Sequence, residues 1–155
     1  MTKNRQTKET PVAALAGNPN VGKSTILNAL TGMRQHTGNW PGKTVSLAQG
    51  VCVYKGEEIR LVDLPGTYAL VSKSQEETLA AGFISGGEAD CVIAVCDATS
   101  LERSLILALQ VMELTDRVIV CVNLMDEARK QGIEIDLAAL SFELGVPVVA
   151  ASASR

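Results

Sequence analysis

Nine consecutive residues, Gly17-Asn18-Pro19-Asn20-Val21-Gly22-Lys23-Ser24-Thr25, carry two glycines, a lysine and two hydroxyls at the spacing G-x-x-x-x-G-K-[ST]. A loop of this kind between a strand and a helix turns several backbone N–H groups toward one point. The helix N-terminus adds its positive pole, and together they suit the oxygens of a β-phosphate. Gly17 and Gly22 permit an approach that a Cβ would obstruct. Lys23 is placed to reach β- and γ-phosphates, and the Ser24 hydroxyl to ligate Mg²⁺. Every position from Gly17 to Thr25 is therefore a candidate phosphate contact, with Lys23 also a candidate catalytic group.

Two further clusters follow in order. Asp63-Leu64-Pro65-Gly66 ends the apolar run Leu61-Val62. Asp63 can hold Mg²⁺ through water, and the Gly66 N–H can touch a γ-phosphate, so this loop would sense whether that phosphate is present. Read alone, D-x-P-G is also a common turn. Asn123-Leu124-Met125-Asp126 follows the apolar run Val118–Val122. A carboxylate there accepts two hydrogen bonds from the N1–H and 2-amino group of guanine, a donor pair that adenine lacks. Read alone, N-x-x-D is equally a helix cap after a strand. The three in this order make Asn123, Met125 and Asp126 candidate contacts to a guanine base at the strand ends of an open α/β sheet.

The elements that must position these groups alternate. Apolar runs predict strands near 11–17, 45–54, 58–63, 90–96, 117–122 and 146–150. The turn Lys55-Gly56-Glu57-Glu58 makes the second and third an antiparallel hairpin. Helical spacing predicts helices near 23–31, 75–84, 101–114, 126–130 and 136–144; Leu101, Leu105, Leu109 and Met112 form a core-packing stripe after the cap at Thr99-Ser100. Glu76 and Glu77 fall in the first turn of a helix and suit its dipole. The sum is an α/β domain: a mostly parallel sheet of about six strands with one antiparallel hairpin and helices on both faces.

Length and composition agree with one domain. The chain has 155 residues and a formal charge of −3, which argues against a general nucleic-acid surface. No apolar run approaches the ~20 residues needed to span a bilayer. Residues 1–10 form a polar tail without the apolar core of a signal peptide, leaving 11–155 as the folded domain. Cys52, Cys91, Cys96 and Cys121 lie in or beside apolar runs without C-x-x-C spacing, so reduced, buried thiols are expected.

These motifs together resemble a Ras-like P-loop G domain. More sharply, Gly38-Asn39-Trp40-Pro41-Gly42-Lys43-Thr44-Val45, Asp63-Leu64-Pro65-Gly66-Thr67-Tyr68-Ala69-Leu70 and Asn123-Leu124-Met125-Asp126-Glu127-Ala128 resemble the cytosolic G domain of the bacterial ferrous-iron transporter family FeoB. The resemblance covers nearly the whole chain. It implies binding of GTP and GDP with Mg²⁺, slow GTP hydrolysis, and a place on the cytoplasmic side of a bacterial inner membrane. It implies as partners a helical domain and a transmembrane permease of the same full-length protein. It also implies a final helix after Arg155; without it, apolar sheet surface stays open to swapping or contact between copies, a route to a homo-oligomer.

The resemblance assigns further roles. Thr44 would be the switch-I threonine that closes on Mg²⁺ and the γ-phosphate, with residues about 33–46 as switch I and about 66–75 as switch II, both mobile. Ser152 and Ala153 resemble the last guanine-contacting loop. Asn20 stands where potassium-activated relatives use an asparagine oxygen to hold K⁺ between the α- and γ-phosphates, with backbone carbonyls from Gly38 and Trp40 completing the site. Asn20 also has a plain conformational reading, since asparagine tolerates unusual backbone angles. Thr67 stands where Ras-like proteins place a water-orienting glutamine, so slow turnover is expected. Leu124 replaces the lysine of N-K-x-D, which predicts weaker nucleotide binding and faster GDP release. His36, the chain's single histidine, reads as a solvated loop residue. Two rival readings stay beside this one. The first is a nucleotide switch with little turnover. The second is a potassium-dependent ribosome- or tRNA-associated GTPase, for which no basic patch is visible.

Overall fold

The computed structural model describes residues 9–32, 35–39, 46–71 and 73–153, with backbone alone at 35, 36 and 39. Trp40 and Thr44, most of the tail at 1–10 and the side chain of His36 lie outside the described residues. Seven strands form one sheet: β1 Val12–Gly17, β2 Gln35–Asn39, β3 Ser46–Tyr54, β4 Glu57–Asp63, β5 Cys91–Asp97, β6 Val118–Asn123 and β7 Val148–Ala150, in the order β2-β3-β4-β1-β5-β6-β7. The four pairings from β4 through β1, β5 and β6 to β7 are parallel. Among the described residues five α-helices accompany them: α1 Lys23–Thr31, α2 Gln75–Ser85, α3 Leu101–Leu114, α4 Met125–Lys130 and α5 Leu137–Leu144.

The α/β reading holds, with one element added. Gln35–Asn39, expected inside a mobile switch, pairs antiparallel with β3, Gly38 opposite Leu47. β3 is thus antiparallel to both neighbours, and the sheet has seven strands where six were expected. The segment Gln35-His36-Thr37-Gly38-Asn39 has no apolar residue to alternate. It is an edge strand, held beside β3 by main-chain pairing.

Side chains of β1 alternate between two cores, as a pleated strand requires. Ala14 and Ala16 join the larger core with Val62, Val92, Val120, Phe83 of α2 and Val111 of α3. Ala13 and Leu15 join the smaller one with Ile26 and Leu27 of α1, Leu61 and Val95. Phe83 has no exposed surface, and burial of such a ring contributes roughly 1.5–3 kcal/mol. On the α1 side two adjoining apolar clefts of about 380 and 450 Å³ meet at Leu30, Ile93 and Ile119. They leave part of that sheet face uncovered among the described residues. The helix starts follow from local chemistry. The Ser74 hydroxyl accepts the Glu77 N–H at 3.1 Å while Glu77 Oε2 accepts the Lys73 N–H at 3.1 Å, and Asp136 caps α5 through the Ala139 N–H at 3.0 Å.

Candidate nucleotide site

Parallel strands β4, β1, β5 and β6 end at one edge of the sheet, and the three motifs emerge there. β1 ends at Gly17, the loop 18–22 turns, and α1 begins at Lys23. Gly22 sits before the helix at φ 91°, and a Cβ on it would collide with Asn123 Nδ2. Glycine is therefore required twice over, by backbone angle and by space. The leading N–H groups of α1 have no side-chain cap. They remain available to an anion.

Asn123 is the centre of the arrangement. It is fully buried, its Nδ2 donates to Val21 O at 3.1 Å, and its Oδ1 accepts the Ala153 N–H at 3.2 Å. One side chain thus ties the phosphate loop to the 151–153 segment. A second stitch runs from the Met125 N–H to Ala151 O at 3.2 Å, and a third from the Asp126 N–H to Ser152 Oγ at 3.2 Å. Met125, Asp126, Ser152 and Ala153 are thus brought together at this edge of the sheet. Among the described residues, three non-glycines adopt positive φ: Asn20 at 66°, Lys55 at 49° and Leu124 at 63°. Two of the three belong to this edge, where strained backbone commonly gathers. The conformational reading of Asn20 therefore has direct support, and its side chain is also exposed.

On the phosphate side, Lys23 Nζ lies 3.3 Å from Asp63 Oδ1, both side chains largely shielded. Burial pushes the Asp63 carboxyl above its usual range, and the neighbouring lysine pulls it part of the way back. Ser24 is exposed at the start of α1, Pro19 and Thr25 are half-buried, and Asn18 and Val21 are buried. Gly66 packs against the phosphate loop so closely that a Cβ would lie 3.2 Å from Pro19 Cα. Thr67 is buried, with its N–H donating to Gly17 O at 3.2 Å. Gly38 lies apart from these, on the edge strand β2.

One group here escaped the motif reading. Asp97, at the end of β5, accepts the Thr99 N–H at 2.8 Å and the Thr99 hydroxyl at 2.6 Å, while its own N–H donates to Ser104 Oγ at 3.1 Å. It fastens α3 to the sheet edge. Asn18 was assigned to the ligand, yet it is buried and helps line a polar cavity of about 80 Å³ with Asp97, Ser104 and Tyr68. A sequence clue to Asp97 exists in D-x-T before a helix, the signature of a side-chain turn.

A profile of the family described as ferrous iron transport protein B matches residues 11–155. The chain belongs to the FeoB family. The Fe(2+) transporter FeoB of Salmonella typhimurium is 47% identical over 145 residues, which cover 91% of this chain and 19% of that protein. The chain thus spans about a fifth of its curated FeoB relatives. The solved G domain of T. maritima FeoB is 46% identical, with a TM-score of 0.85 over 94% of this chain and 89% of that one. The T. maritima cytosolic domain in a GMPPNP form reaches a TM-score of 0.89 at 46% identity, over 94% of this chain and 58% of that one. The sheet and its helices are accordingly those of a FeoB G domain. No helix among the described residues is long and apolar enough to cross a membrane.

Proposed function

We propose that this domain binds GDP and GTP with Mg²⁺ and hydrolyses GTP slowly, as the cytoplasmic regulatory module of a ferrous-iron transporter at a bacterial inner membrane. The observation that carries the reading is the Asn123 junction, which holds the phosphate loop and the base-side loops in one rigid frame. It occurs in a chain 46% identical to a domain solved in GDP and GMPPNP forms.

The chain's own groups account for binding. The α1 N–H groups and Lys23 receive the β- and γ-phosphates once Lys23 leaves Asp63. The Asp126 carboxylate reads the guanine edge, with Ser152 and Ala153 beside it. Ser24, Asp63 and Thr44 would hold Mg²⁺; hydroxyl and carboxylate oxygens are the hard donors that this ion takes. Bound there, it would neutralise charge on the phosphate oxygens. Asn20, with carbonyls of Gly38 and Trp40, would hold K⁺, which would supply positive charge beside the phosphates. Gly66 offers its N–H to the γ-phosphate. Thr67 is buried and tied by its backbone, so water is positioned by main-chain groups. The permease and helical domain of a longer polypeptide are the partners this role calls for.

Phosphate release from GTP tests the reading. Hydrolysis rises when K⁺ replaces Na⁺ at constant ionic strength, and Asn20→Ala removes the difference while Mg²⁺–GTP still binds. Equal rates in both salts return Asn20 to its conformational role at φ 66°. ATP binding as tight as GTP binding sinks the guanine assignment.

A further inference from the structure

The phosphate loop has a neighbour on each side, and the two meet it differently. Toward β6 the contact is direct, from Asn123 Nδ2 to Val21 O. Toward β5 and α3 the loop faces the polar cavity of about 80 Å³, which Asn18 lines from one side and Asp97, Ser104 and Arg103 from the other.

Both walls of this cavity carry hydrogen-bonding capacity that the fold does not use. On the loop side, Asn18 is 5% exposed, and its Oδ1 is buried with no partner among the described residues. Buried polar atoms in native proteins are nearly always paired, with protein or with ordered water. On the other wall, both bonds that the Asp97 carboxylate accepts, from the Thr99 N–H and hydroxyl, fall on Oδ1. The lone pairs of Oδ2 are left over. Ser104 is 4% exposed; its Oγ accepts the Asp97 N–H, which leaves its own O–H free to donate.

The unused functions are two acceptors and one donor. A water molecule answers all three: it gives one hydrogen to Asn18 Oδ1 and the other to Asp97 Oδ2, and it accepts the Ser104 hydrogen. Buried waters typically make about three such bonds. The cavity holds several times the roughly 15 Å³ that one water needs, so a second can extend the link. An anion fits poorly, since it would face two acceptors. A metal cation fits poorly as well. It takes about six oxygens, and the Arg103 guanidinium, held over the Tyr68 ring at 4.9 Å, lines the same space.

We propose that this cavity is a binding site for ordered water, and that the water fastens the phosphate loop at Asn18 to Asp97 and Ser104, at the end of β5 and the start of α3. The loop is then held dry on the β6 side and wet on the β5 side. The site does not depend on which nucleotide the loop takes, so its failure leaves the guanine reading untouched.

A crystal structure of the whole chain and water–protein cross-relaxation in solution test it, with water itself as the probe. Electron density shows a water within about 3.2 Å of Asn18 Oδ1. That water is bonded, directly or through one more, to Asp97 Oδ2 or Ser104 Oγ. In solution the Asn18 side-chain amide gives a cross-peak to water of the sign that only a long-resident molecule produces. A protein group bonded to Oδ1 in place of water overturns the site, as does an ion there, recognised by its anomalous signal. Neither density nor cross-peak overturns it too. Stability tests the link. Asn18→Ala and Ser104→Ala each remove a partner of the same water. The double variant therefore loses at least threefold less in its unfolding equilibrium constant than the product of the two single losses. Effects that simply multiply overturn the link. Both wild-type readouts stand whether or not the variants fold.

Discussion

The two ends of the proposed nucleotide site are built differently. At the base end, three loops are sewn together by Asn123, Met125 and Asp126, and the central side chain has no exposed surface. At the γ-phosphate end, the segment from Gly66 to Leu70 leans on its neighbours through one close glycine contact, two backbone N–H bonds and an exposed ring. A guanine base looks the same in the diphosphate and the triphosphate, so its pocket gains from rigidity. The terminal phosphate is the only difference between the two ligands, and the part that meets it gains from being held by bonds that can be given up.

Substitutions at the rigid end should have the largest effects. Asp126→Asn removes a charged acceptor facing two donors and should weaken GDP and GTP by about 100-fold or more, on charged hydrogen bonds of roughly 1.5–3 kcal/mol each. Xanthine nucleotides should gain relative to guanine. Competition titration reads both, and retained guanine preference would place base recognition elsewhere.

Asn123→Ala cuts the junction without touching the carboxylate. It strands Val21 O and frees Ala153, so stability should fall by about 2–4 kcal/mol and GDP affinity by roughly tenfold. Denaturant unfolding with and without GDP separates the two losses. An affinity loss without a stability loss would mean that the residue contacts ligand more than it joins loops.

Smaller effects belong to the yielding end. The Thr67 side chain is buried and its N–H is the bonded group. Thr67→Ala should therefore cost less than tenfold in kcat, under about 1.4 kcal/mol. A greater loss at unchanged affinity would assign the hydroxyl a chemical role.

The least change is expected at the thiols below the site. Burial pushes Cys96 up to about 12, with Cys121 beside it adding to the rise, and Cys121 is itself raised by burial. Both should stay unreactive toward a thiol reagent at pH 8 until denaturant is added. The unfolded thiols ionise near their ordinary value, so the unfolded state loses protons first. Stability contributed by these neutral thiols is complete below pH 9 and declines as pH rises from 9 toward 12.

Most of the frame was legible because its signals are local. The glycine–lysine loop before α1 and the Lys55-Gly56-Glu57-Glu58 turn between β3 and β4 each declare an element from a few neighbouring residues. β2 was not legible, because Gln35–Asn39 has no apolar face and becomes a strand only by lying beside β3. The base loop was legible as a motif, but the double duty of Asn123 was not. Its partners Val21 and Ala153 come from opposite ends of the chain and meet only through the sheet order. Asn18 adds a placement that the motif could not give: it is buried and helps line the cavity beside Asp97.

The pairing of Lys23 with Asp63 also governs how a nucleotide arrives. With the cation and the carboxylate 3.3 Å apart, the phosphate cradle projects little field of its own into a solvent that surrounds a chain of charge −3. Long-range attraction, which speeds capture where unpaired charge lines a cleft, is largely switched off. On the proposed function the encounter is left to diffusion and fit, with little dependence on ionic strength, and the Lys23 charge would reach the ligand only after contact, with Asp63 then free to help hold a divalent ion.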